Sequence, residues 1–558
     1  MIEKLKQHPF AAFFWGSFLF FSLATAGTEI NKLDVRFAIM LQDMALHPFG
    51  LFPTVNGVPY ADYFVPWFFL PYLTTFCGRF VTLWTMSLPS MLLGSFLVAM
   101  TYRIGEREGR GQGFSAALLL LSVFEVIFTI CSFGMDLSVA ALAVIFLDRE
   151  QRDPGSLRTH LVFALSTALC ILLRGSLGLI VFGASAAGYL LMTRRWKHVL
   201  SYGLTGGFTA LAAVAAIIGA VFLIGGRDLF DVLVDWQILK RVDGGDYFYY
   251  FLDGVVSYTP LSLCVILAMI VAGKGCVKAV PPGPWIGFFL LPLVILSAPG
   301  GKHLRYLMPL MPAMALTAAW GLHRISEQRM AKVSEYILKV LRFMPAVSMA
   351  ALIVLALLLP KFVPACLVPW FHFAAALLLF AVLFLRRATF RGYYGMILLA
   401  TLWLLVIYCG AAVPLTGMYE NSSRFVGEVE RERTGRIYFM DLGPDHEDLK
   451  YVLHMDPVRR DEAFYLSSGS RKKKKSLYDA MYPVLSASET LPSLKPDDIL
   501  IVKEKHFGDA EKRLRAAGRT VIRKQRGRLG HRFYFALFTE AVSPESGTIS
   551  TKEGIPPI

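Results

Sequence analysis

The stretch FAAFFWGSFLFFSLATAG, residues 10–27, indicates the fold class of this chain because it is almost wholly apolar and carries no charge. An α-helix needs about twenty such residues to cross a bilayer. Outward from this stretch, similar runs recur as far as Val413 and predict about thirteen transmembrane helices. Lys4 and Lys6 precede the first run, and Ala24-Thr25-Ala26 near its end resembles a signal-peptidase site. Because further apolar runs follow, we expect a retained span rather than a cleaved leader.

The composition excludes a soluble globular protein, a disordered chain and a fibrous one. Of the 558 residues, 55% are hydrophobic and only 17% are charged, and the mean hydropathy is +0.53. Polar groups are therefore too few to cover a water-facing surface of this size. The formal net charge of +15 indicates basic cytoplasmic loops and contact with anionic membrane lipids, and no nucleic-acid partner is expected. The seven cysteines show no disulfide framework and no zinc-binding spacing.

Lysine and arginine in the short loops predict the orientation of the chain. Cytoplasmic loops carry an excess of these residues, and every second loop is basic when the N-terminus is taken as cytoplasmic. This assignment leaves two long outward loops, 28–87 and 226–258, and places residues 417–558 outside as well. The basic residues are Arg103, Arg107, Arg110, Arg149, Arg152, Arg158, Arg194, Arg195, Lys197, Lys274, Lys278, Arg324, Arg329, Lys332, Arg386, Arg387 and Arg391.

Residues 417–558 have a different composition, in which short β-like runs alternate with polar, helix-forming stretches. The β-like runs are 437–440, 499–502 and 533–536, and 510–517 is typical of a helix. We therefore predict an all-α polytopic membrane domain over residues 1–416, followed by a small C-terminal periplasmic α/β domain.

Charged side chains in the outward loops are candidates for function. At the centre of a membrane helix such a group costs about 2.5–3.5 kcal/mol on insertion scales, so it needs a partner or a role. Asp34 and Arg36 open a helix-like stretch that is too short and too polar to span, and we expect it to lie along the membrane surface. The turn-forming segment 52–63 would hold Asp62 near the outer interface.

Further candidates fall at outward turns and span ends. Asp136 lies between two apolar runs, and Arg174-Gly175 ends another. Lys302 and Arg305 are basic residues in a short outward loop, which departs from the positive-inside pattern. Cations at this face would neutralise a phosphate leaving group, while a carboxylate activates a hydroxyl or orients a sugar. Mutual pairing of these groups at helix ends is the alternative, and the sequence leaves it open.

The pattern resembles the lipid-phosphate-dependent GT-C glycosyltransferases of the protein mannosyltransferase superfamily. The most similar branch is the bacterial one, which includes the lipid A aminoarabinose transferases. That family has an acidic residue ahead of Arg-Tyr/Phe-Ala in its first periplasmic loop, matched here by Asp34-Val35-Arg36-Phe37-Ala38. Its Pro-x-x-Asn-Gly-x-Pro-Tyr segment with a following acid is matched by residues 53–62. Asp136, Arg174-Gly175 and the Lys-x-x-x-Tyr-x-x-Pro pattern of Lys302, Tyr306 and Pro309 match further motifs.

The resemblance implies roles for these residues. Asp34 would be the principal catalytic carboxylate with Asp136 as its acidic companion, and Lys302, assisted by Arg174, would hold the phosphate of a polyprenyl-phosphate sugar. The substrate-binding residues that it implies are Arg36, Tyr60, Asp62, Arg174, Lys302, Arg305 and Tyr306.

Two departures from the family pattern bear on cofactor and substrate. The lysine and proline that follow the acidic position in the family are Tyr63 and Phe64 here, so one phosphate contact is missing. Residues 235–241 contain no histidine where the aminoarabinose transferases place one for a metal. The resemblance therefore supports neither a metal site nor aminoarabinose as the sugar, and a divalent metal stays open as a cofactor.

The function implied is that of an inverting glycosyltransferase in the bacterial inner membrane. It would transfer a sugar at the periplasmic face from a polyprenyl phosphate to lipid A, lipopolysaccharide or another envelope acceptor, and we expect a monomer. The sequence identifies neither the sugar nor the acceptor. A lipid transporter or flippase is the competing class, although its ionisable residues should lie near the bilayer midplane. A polymerase or ligase of surface polysaccharide is a third possibility.

Overall fold

The computed structural model describes residues 8–25, 28–30, 33–235, 246–274, 280–299, 302–327, 422–440, 449–467, 484–529 and 532–541. The spans and basic loops predicted between 328 and 416 lie outside these residues. The same holds for Lys278 and for most of the histidine-free segment 235–241.

The described chain up to residue 327 is helical, apart from one short hairpin. Its helices are α1 (Pro9–Thr25), α2 (Leu33–Leu46), α3 (Val65–Thr74), α4 (Leu83–Glu108), α5 (Gln112–Leu121), α6 (Phe124–Ile130), α7 (Asp136–Arg152), α8 (Leu157–Met192), α9 (Trp196–Val234), α10 (Tyr249–Ser257), α11 (Leu261–Ala272), α12 (Gly283–Ser297), the 3₁₀ helix Leu304–Leu310 and α13 (Met311–Glu327); β1 (Thr54–Val55) and β2 (Val58–Pro59) form the hairpin.

The described chain from residue 422 mixes helices and strands. The elements are α14 (Ser422–Glu432), β3 (Ile437–Met440), α15 (Leu449–His454), the 3₁₀ helix Pro457–Glu462, β4 (Ala463–Ser467), β5 (Val484–Ser486), α16 (Ala487–Thr490), the 3₁₀ helices Leu491–Ser493 and Glu504–His506 on either side of β6 (Ile499–Lys503), then α17 (Phe507–Ala516), β7 (Arg519–Leu529) and β8 (Arg532–Ala541). The predicted strands at 437–440, 499–502 and 533–536 and the helix near 510–517 are confirmed.

The described chain divides into two compact units. The first contains the described residues of 1–28, 48–53 and 59–417, and the second those of 29–47, 54–58 and 418–558. Helix α2 and residues 54–58 of the β1–β2 hairpin group with the C-terminal residues. The predicted domains, 1–416 and 417–558, stay a prediction.

Helices of the first unit are long and apolar enough to cross a membrane. Among the described residues, α4, α8 and α9 meet this test, or up to five spans do if the bent pairs α5–α6 and α10–α11 each count once. The total of about thirteen transmembrane helices stays a prediction.

Helix α8 folds back on itself. The ring centroids of Phe163 and Phe182 lie 5.2 Å apart, whereas 19 residues of straight helix would separate the two residues by about 28 Å. The break is at Gly175, with φ 67° and ψ −147°.

Charged residues lie at both ends of α7. Glu150, near the end of α7, accepts hydrogen bonds from Arg195 at 2.8 Å and from the Tyr202 hydroxyl at 2.6 Å. Arg107, at the end of α4, donates to Asp148 at 2.6 Å. The residues of the predicted cytoplasmic loops therefore meet at the C-terminal end of α7. Asp136 lies at the N-terminal end of the same helix, about 25 Å from Arg152 at 1.5 Å per residue.

The second unit is built on a twisted sheet with strand order β5-β4-β3-β6-β8-β7. Strands β5, β4, β3 and β6 are parallel, and β8 pairs antiparallel with both β6 and β7. The central strands β3 and β6 are buried throughout and apolar except for Lys503 at the end of β6, as strands covered on both faces require. Helix α17 packs against the sheet through Ala510 and Leu514.

Candidate active site

Asp136 lies at the start of α7, where the positive end of the helix dipole favours a carboxylate. The turn before it is fixed by Gly134, whose backbone N–H donates to Ser90 Oγ at 2.9 Å. A Cβ at Gly134 would lie 2.5 Å from the carbonyl oxygen of Thr129, so only glycine fits this close approach. Asp136 itself is 2% exposed. This turn therefore places an acidic side chain inside the protein.

Arg174 lies at the tip of the α8 hairpin, immediately before the break at Gly175. The two arms pack closely, because a Cβ at Gly178 would lie 2.3 Å from the carbonyl oxygen of Cys170. The positive φ of Gly175 is unfavourable for residues with a side chain and readily adopted by glycine. Arg174 is 4% exposed, so the hairpin buries a guanidinium at its tip.

Arg305 lies in the 3₁₀ helix Leu304–Leu310, whose start is held by two phenols. The Tyr258 hydroxyl donates to the carbonyl oxygen of Leu304 at 2.7 Å, and that of Tyr250 to the carbonyl oxygen of His303 at 3.4 Å. The side chain of Arg305 is 17% exposed. Residues of the α10–α11 segment thus fix the backbone from which Arg305 projects.

These elements bring Asp136, Arg174, Arg305 and Tyr306 together, and we call the four residues the Asp136 cluster. Arg174 Nε lies 2.6 Å from Asp136 Oδ1, and Arg305 Nε lies 3.6 Å from Asp136 Oδ2. The Tyr306 ring centroid is 5.1 Å from Arg174 Cζ and 5.9 Å from Arg305 Cζ. One carboxylate and two guanidiniums leave a formal charge of +1.

A buried net charge needs a counter-charge, since charged groups taken out of water are costly unless paired and hydrogen-bonded. Arg305 Nε is one of the buried side-chain donors that have no hydrogen-bond partner within the described part of the chain, and an anion could accept from it. The Asp136 cluster is therefore suited to receive one further anion.

A segment rich in tyrosine lies beside the Asp136 cluster. Tyr60 is buried and stacks on Tyr63, with ring centroids 5.7 Å apart and an interplanar angle of 12°. Tyr63 lies within electrostatic range of both Arg174 and Arg305. Asp62, between the two tyrosines, is partly buried.

The structure places Lys302 in other contacts. Its Nζ donates to the backbone carbonyl of Asp246 and lies 5.4 Å from the ring centroid of Tyr247. Both partners belong to the segment that precedes α10, and neither is a member of the Asp136 cluster. The phosphate contact implied for Lys302 stays a prediction.

Asp34 and Arg36 lie in the first turn and a half of α2, in the second unit. Asp34 is buried and Arg36 partly so. Their catalytic and substrate-binding roles stay predictions that rest on the motif.

Sequence reasoning missed Asp43 and Arg460, both of which hold α2 in the second unit. Buried Asp43 accepts the backbone N–H groups of Asn56 at 2.9 Å and Gly57 at 3.2 Å. These two residues have φ of 50° and 74°, as a type I′ hairpin requires. The Asn-Gly pair predicts the turn, but no local signal marks a carboxylate 13 residues earlier as its anchor.

The described residues contain no group of three or more histidine, cysteine, aspartate and glutamate side chains that could hold a metal ion.

Comparison with solved structures gives a clear match in fold. Two crystal structures of ArnT from Cupriavidus metallidurans, one bound to undecaprenyl phosphate and one in the apo state, match with a TM-score of 0.69. The sequence identity is 14%, over 94% of this chain and 97% of that chain. The archaeal oligosaccharyltransferase AglB from Archaeoglobus fulgidus matches at 10% identity over 92% of this chain and 72% of that chain, with a TM-score of 0.41, too low to establish a shared fold.

No family model matches the sequence, and no curated protein matches it either. The structural match therefore establishes the fold alone. The fold class is that of a mostly helical protein with a C-terminal sheet, as predicted. Within that class, the chain has an ArnT-like GT-C fold. The number of spans and the periplasmic location of the C-terminal residues stay predictions.

Proposed function

We propose that this chain is an integral-membrane inverting glycosyltransferase that takes its sugar from a polyprenyl-phosphate donor. Its acceptor would be lipid A, lipopolysaccharide or another envelope molecule at the periplasmic face of the bacterial inner membrane. The observation that carries the proposal is the buried +1 charge of the Asp136 cluster. A polyprenyl-phosphate sugar is a phosphodiester with one negative charge, which would balance it. The ArnT-like fold supports the same assignment, because an ArnT structure is bound to undecaprenyl phosphate.

The reaction breaks the bond between the anomeric carbon and the phosphate oxygen. The departing polyprenyl phosphate gains negative charge, so guanidiniums placed beside it stabilise the transition state more than the ground state. Arg174 and Arg305 are assigned this role. Asp136 holds Arg174 by an ion pair of 2.6 Å and limits the repulsion between the two cations. No strong general acid is needed, since the leaving group is already stabilised as an anion.

Inversion requires the acceptor to attack the opposite face of the sugar. Asp34 is our proposed carboxylate for this acceptor. It would take the proton of an acceptor hydroxyl, or orient the acceptor if that is an ionised phosphate. It lies in the first turn of α2, where the helix dipole favours a negative charge. Support for this role comes from the Asp34-Val35-Arg36-Phe37-Ala38 motif.

Mass spectrometry of lipid A, lipopolysaccharide core and surface glycans from cells with and without the chain tests the proposal. We expect a sugar-sized mass increase that disappears in Asp34→Asn and Arg174→Gln. The matched control is Arg227→Gln, an exposed arginine 3.9 Å from Asp231 in a solvated pair, which should keep the modification. An unchanged glycan profile in cells that carry the wild-type chain, together with movement of intact lipid donor across the membrane, would favour a flippase instead.

A further inference from the structure

Helix α2 is held within the second unit by the C-terminal residues. It packs against α15 and the 3₁₀ helix Pro457–Glu462, although more than 400 residues of sequence separate them. Helix α2 carries Asp34, so the C-terminal part of the chain supports the element with the proposed catalytic carboxylate.

Arg460 makes polar contacts between these elements. Arg460, 2% exposed, donates from Nη1 to the carbonyl oxygen of Ile39 at 3.4 Å and from Nη2 to Oε1 of Gln42. Its Nε donates to the carbonyl oxygen of Val452 in α15 at 3.2 Å. The guanidinium thus joins α2 to α15 through three oxygen atoms. Hydrogen bonds from a charged donor are stronger than neutral ones, and a planar guanidinium fixes direction as well as distance.

A second contact joins α2 to the turn of the β1–β2 hairpin. Asp43, one residue after Gln42, holds the backbone of Asn56 and Gly57, and His47 Nδ1 lies 3.0 Å from its carboxylate. Helix α2 is therefore held by Arg460 at Ile39 and Gln42 and by the hairpin turn at Asp43. Asp34 lies on the same helix, nearer its N-terminal end, so these contacts bear on its position.

We propose that Arg460 is a positioning residue for Asp34 and that the C-terminal domain serves to hold α2 in its working orientation. The inference rests on the proposed function, because it assigns no chemistry to Arg460 itself. The inference predicts that changing Arg460 lowers turnover and leaves donor binding unchanged. The reason is that the Asp136 cluster belongs to the first unit, whereas Arg460 and Asp34 belong to the second.

The expected size of the effect follows from the helix geometry. Ile39 and Gln42 lie five and eight residues after Asp34, or about 8–12 Å along the axis at 1.5 Å per residue. A tilt of about 6° at the anchor would therefore displace the Asp34 backbone by about 1 Å. A misplacement of that size costs on the order of 10²-fold in rate.

The test compares Arg460→Ala, Arg460→Lys and Gln42→Ala with the control Arg459→Ala in the full-length chain in proteoliposomes. Arg459 is the neighbouring arginine, which pairs with Glu462 at 2.6 Å and donates to the backbone at 433–435. Its loss perturbs the same domain without removing a contact to α2. The substrate is a panel of undecaprenyl-phosphate-linked hexoses, hexosamines and pentoses, and released undecaprenyl phosphate is measured.

We expect Arg460→Ala to lower kcat about 10²-fold with KM for the donor within about twofold of wild type. Arg460→Lys should recover part of the rate. Gln42→Ala should lower kcat less, and its effect should not add to that of Arg460→Ala. Hydrogen exchange in the 33–46 peptide should rise in Arg460→Ala and not in Arg459→Ala.

Two outcomes overturn the inference and are distinguishable. If Asp34→Asn is inactive while Arg460→Ala and Gln42→Ala turn over like Arg459→Ala, the positioning role is wrong and the proposed function stands. If Asp34→Asn is fully active, the proposed role of Asp34 fails, and the positioning role fails with it.

Discussion

The charge of the Asp136 cluster predicts that one substitution weakens phosphate binding and another lowers the stability of the protein. Arg305→Gln lowers the formal charge from +1 to 0 and keeps the 2.6 Å pair between Arg174 and Asp136. Asp136→Asn raises the charge to +2 and leaves two guanidiniums without their carboxylate. The double variant returns the charge to +1.

The magnitudes follow from the distances. Arg305 Nε and Asp136 Oδ2 are 3.6 Å apart, which gives a Coulomb energy of about 4–5 kcal/mol at an effective dielectric constant near 20, before desolvation. A net contribution of about 1.5–3 kcal/mol is usual for a hydrogen bond to a charged group. We therefore expect Arg305→Gln to weaken undecaprenyl phosphate binding about 10- to 150-fold. Asp136→Asn removes the partner of a buried pair and should lower the free energy of unfolding by about 3–5 kcal/mol.

The assay is binding of undecaprenyl phosphate by native mass spectrometry, with the thermal midpoint followed by tryptophan fluorescence in the same detergent. The ligand should raise the midpoint most in Asp136→Asn, because the anion replaces the missing carboxylate, and least in Arg305→Gln. The double variant should fall between them, and Arg227→Gln should match wild type. Equal ligand-induced shifts in all variants would refute the reasoning that the Asp136 cluster receives a phosphate.

Three further predictions concern the elements around the site. Gly175→Ala forces a side chain into the positive-φ turn of α8 and should lower stability by about 1–3 kcal/mol, whereas Gly183→Ala, with open space around its Cβ position, should be neutral in the same thermal assay. Asp43→Ala frees the N–H groups of Asn56 and Gly57 and should speed hydrogen exchange at 54–58, with a cost of about 1–3 kcal/mol. Burial, with a smaller effect of Lys450, lowers the pKa of His454 to about 4 from 6.5. The unfolded chain then takes up the proton first as pH falls, so up to about 3 kcal/mol of stability present above pH 6.5 is lost between about pH 6.5 and pH 4. Pulse proteolysis of the second unit at pH 7 and pH 5 should show about 2 kcal/mol of this loss in wild type and not in His454→Gln.

The sequence predicts the parts of the fold that depend on local pattern. Apolar runs of spanning length mark the helices on both arms of α8, and Arg174-Gly175 marks the turn between them, because a charged residue and a glycine interrupt an otherwise apolar stretch. Strands β3 and β6 are readable because buried parallel strands are continuously apolar. Asp136 is recognisable as a lone carboxylate between apolar runs.

Contacts between distant segments were beyond sequence reasoning. Nothing near Arg460 indicates that it reaches Ile39 and Gln42, since propensity and periodicity report only on neighbouring residues. The sequence names both Lys302 and Arg305 as substrate-binding residues, and their roles stay predictions. That Arg305 lies beside Asp136 depends on the 3₁₀ turn and on the phenols that hold it, which no local pattern predicts.

The most direct test of the proposed function is sugar transfer by the purified chain in proteoliposomes. The donors are undecaprenyl-phosphate-linked sugars with a radiolabel in the sugar, and total envelope lipid supplies the acceptor. We predict that label moves from the polyprenyl phosphate to another lipid or glycan, that transfer is lost in Arg174→Gln, and that Arg227→Gln retains it. Label that stays on the polyprenyl phosphate with every donor, or transfer that survives Arg174→Gln, would contradict the proposed function.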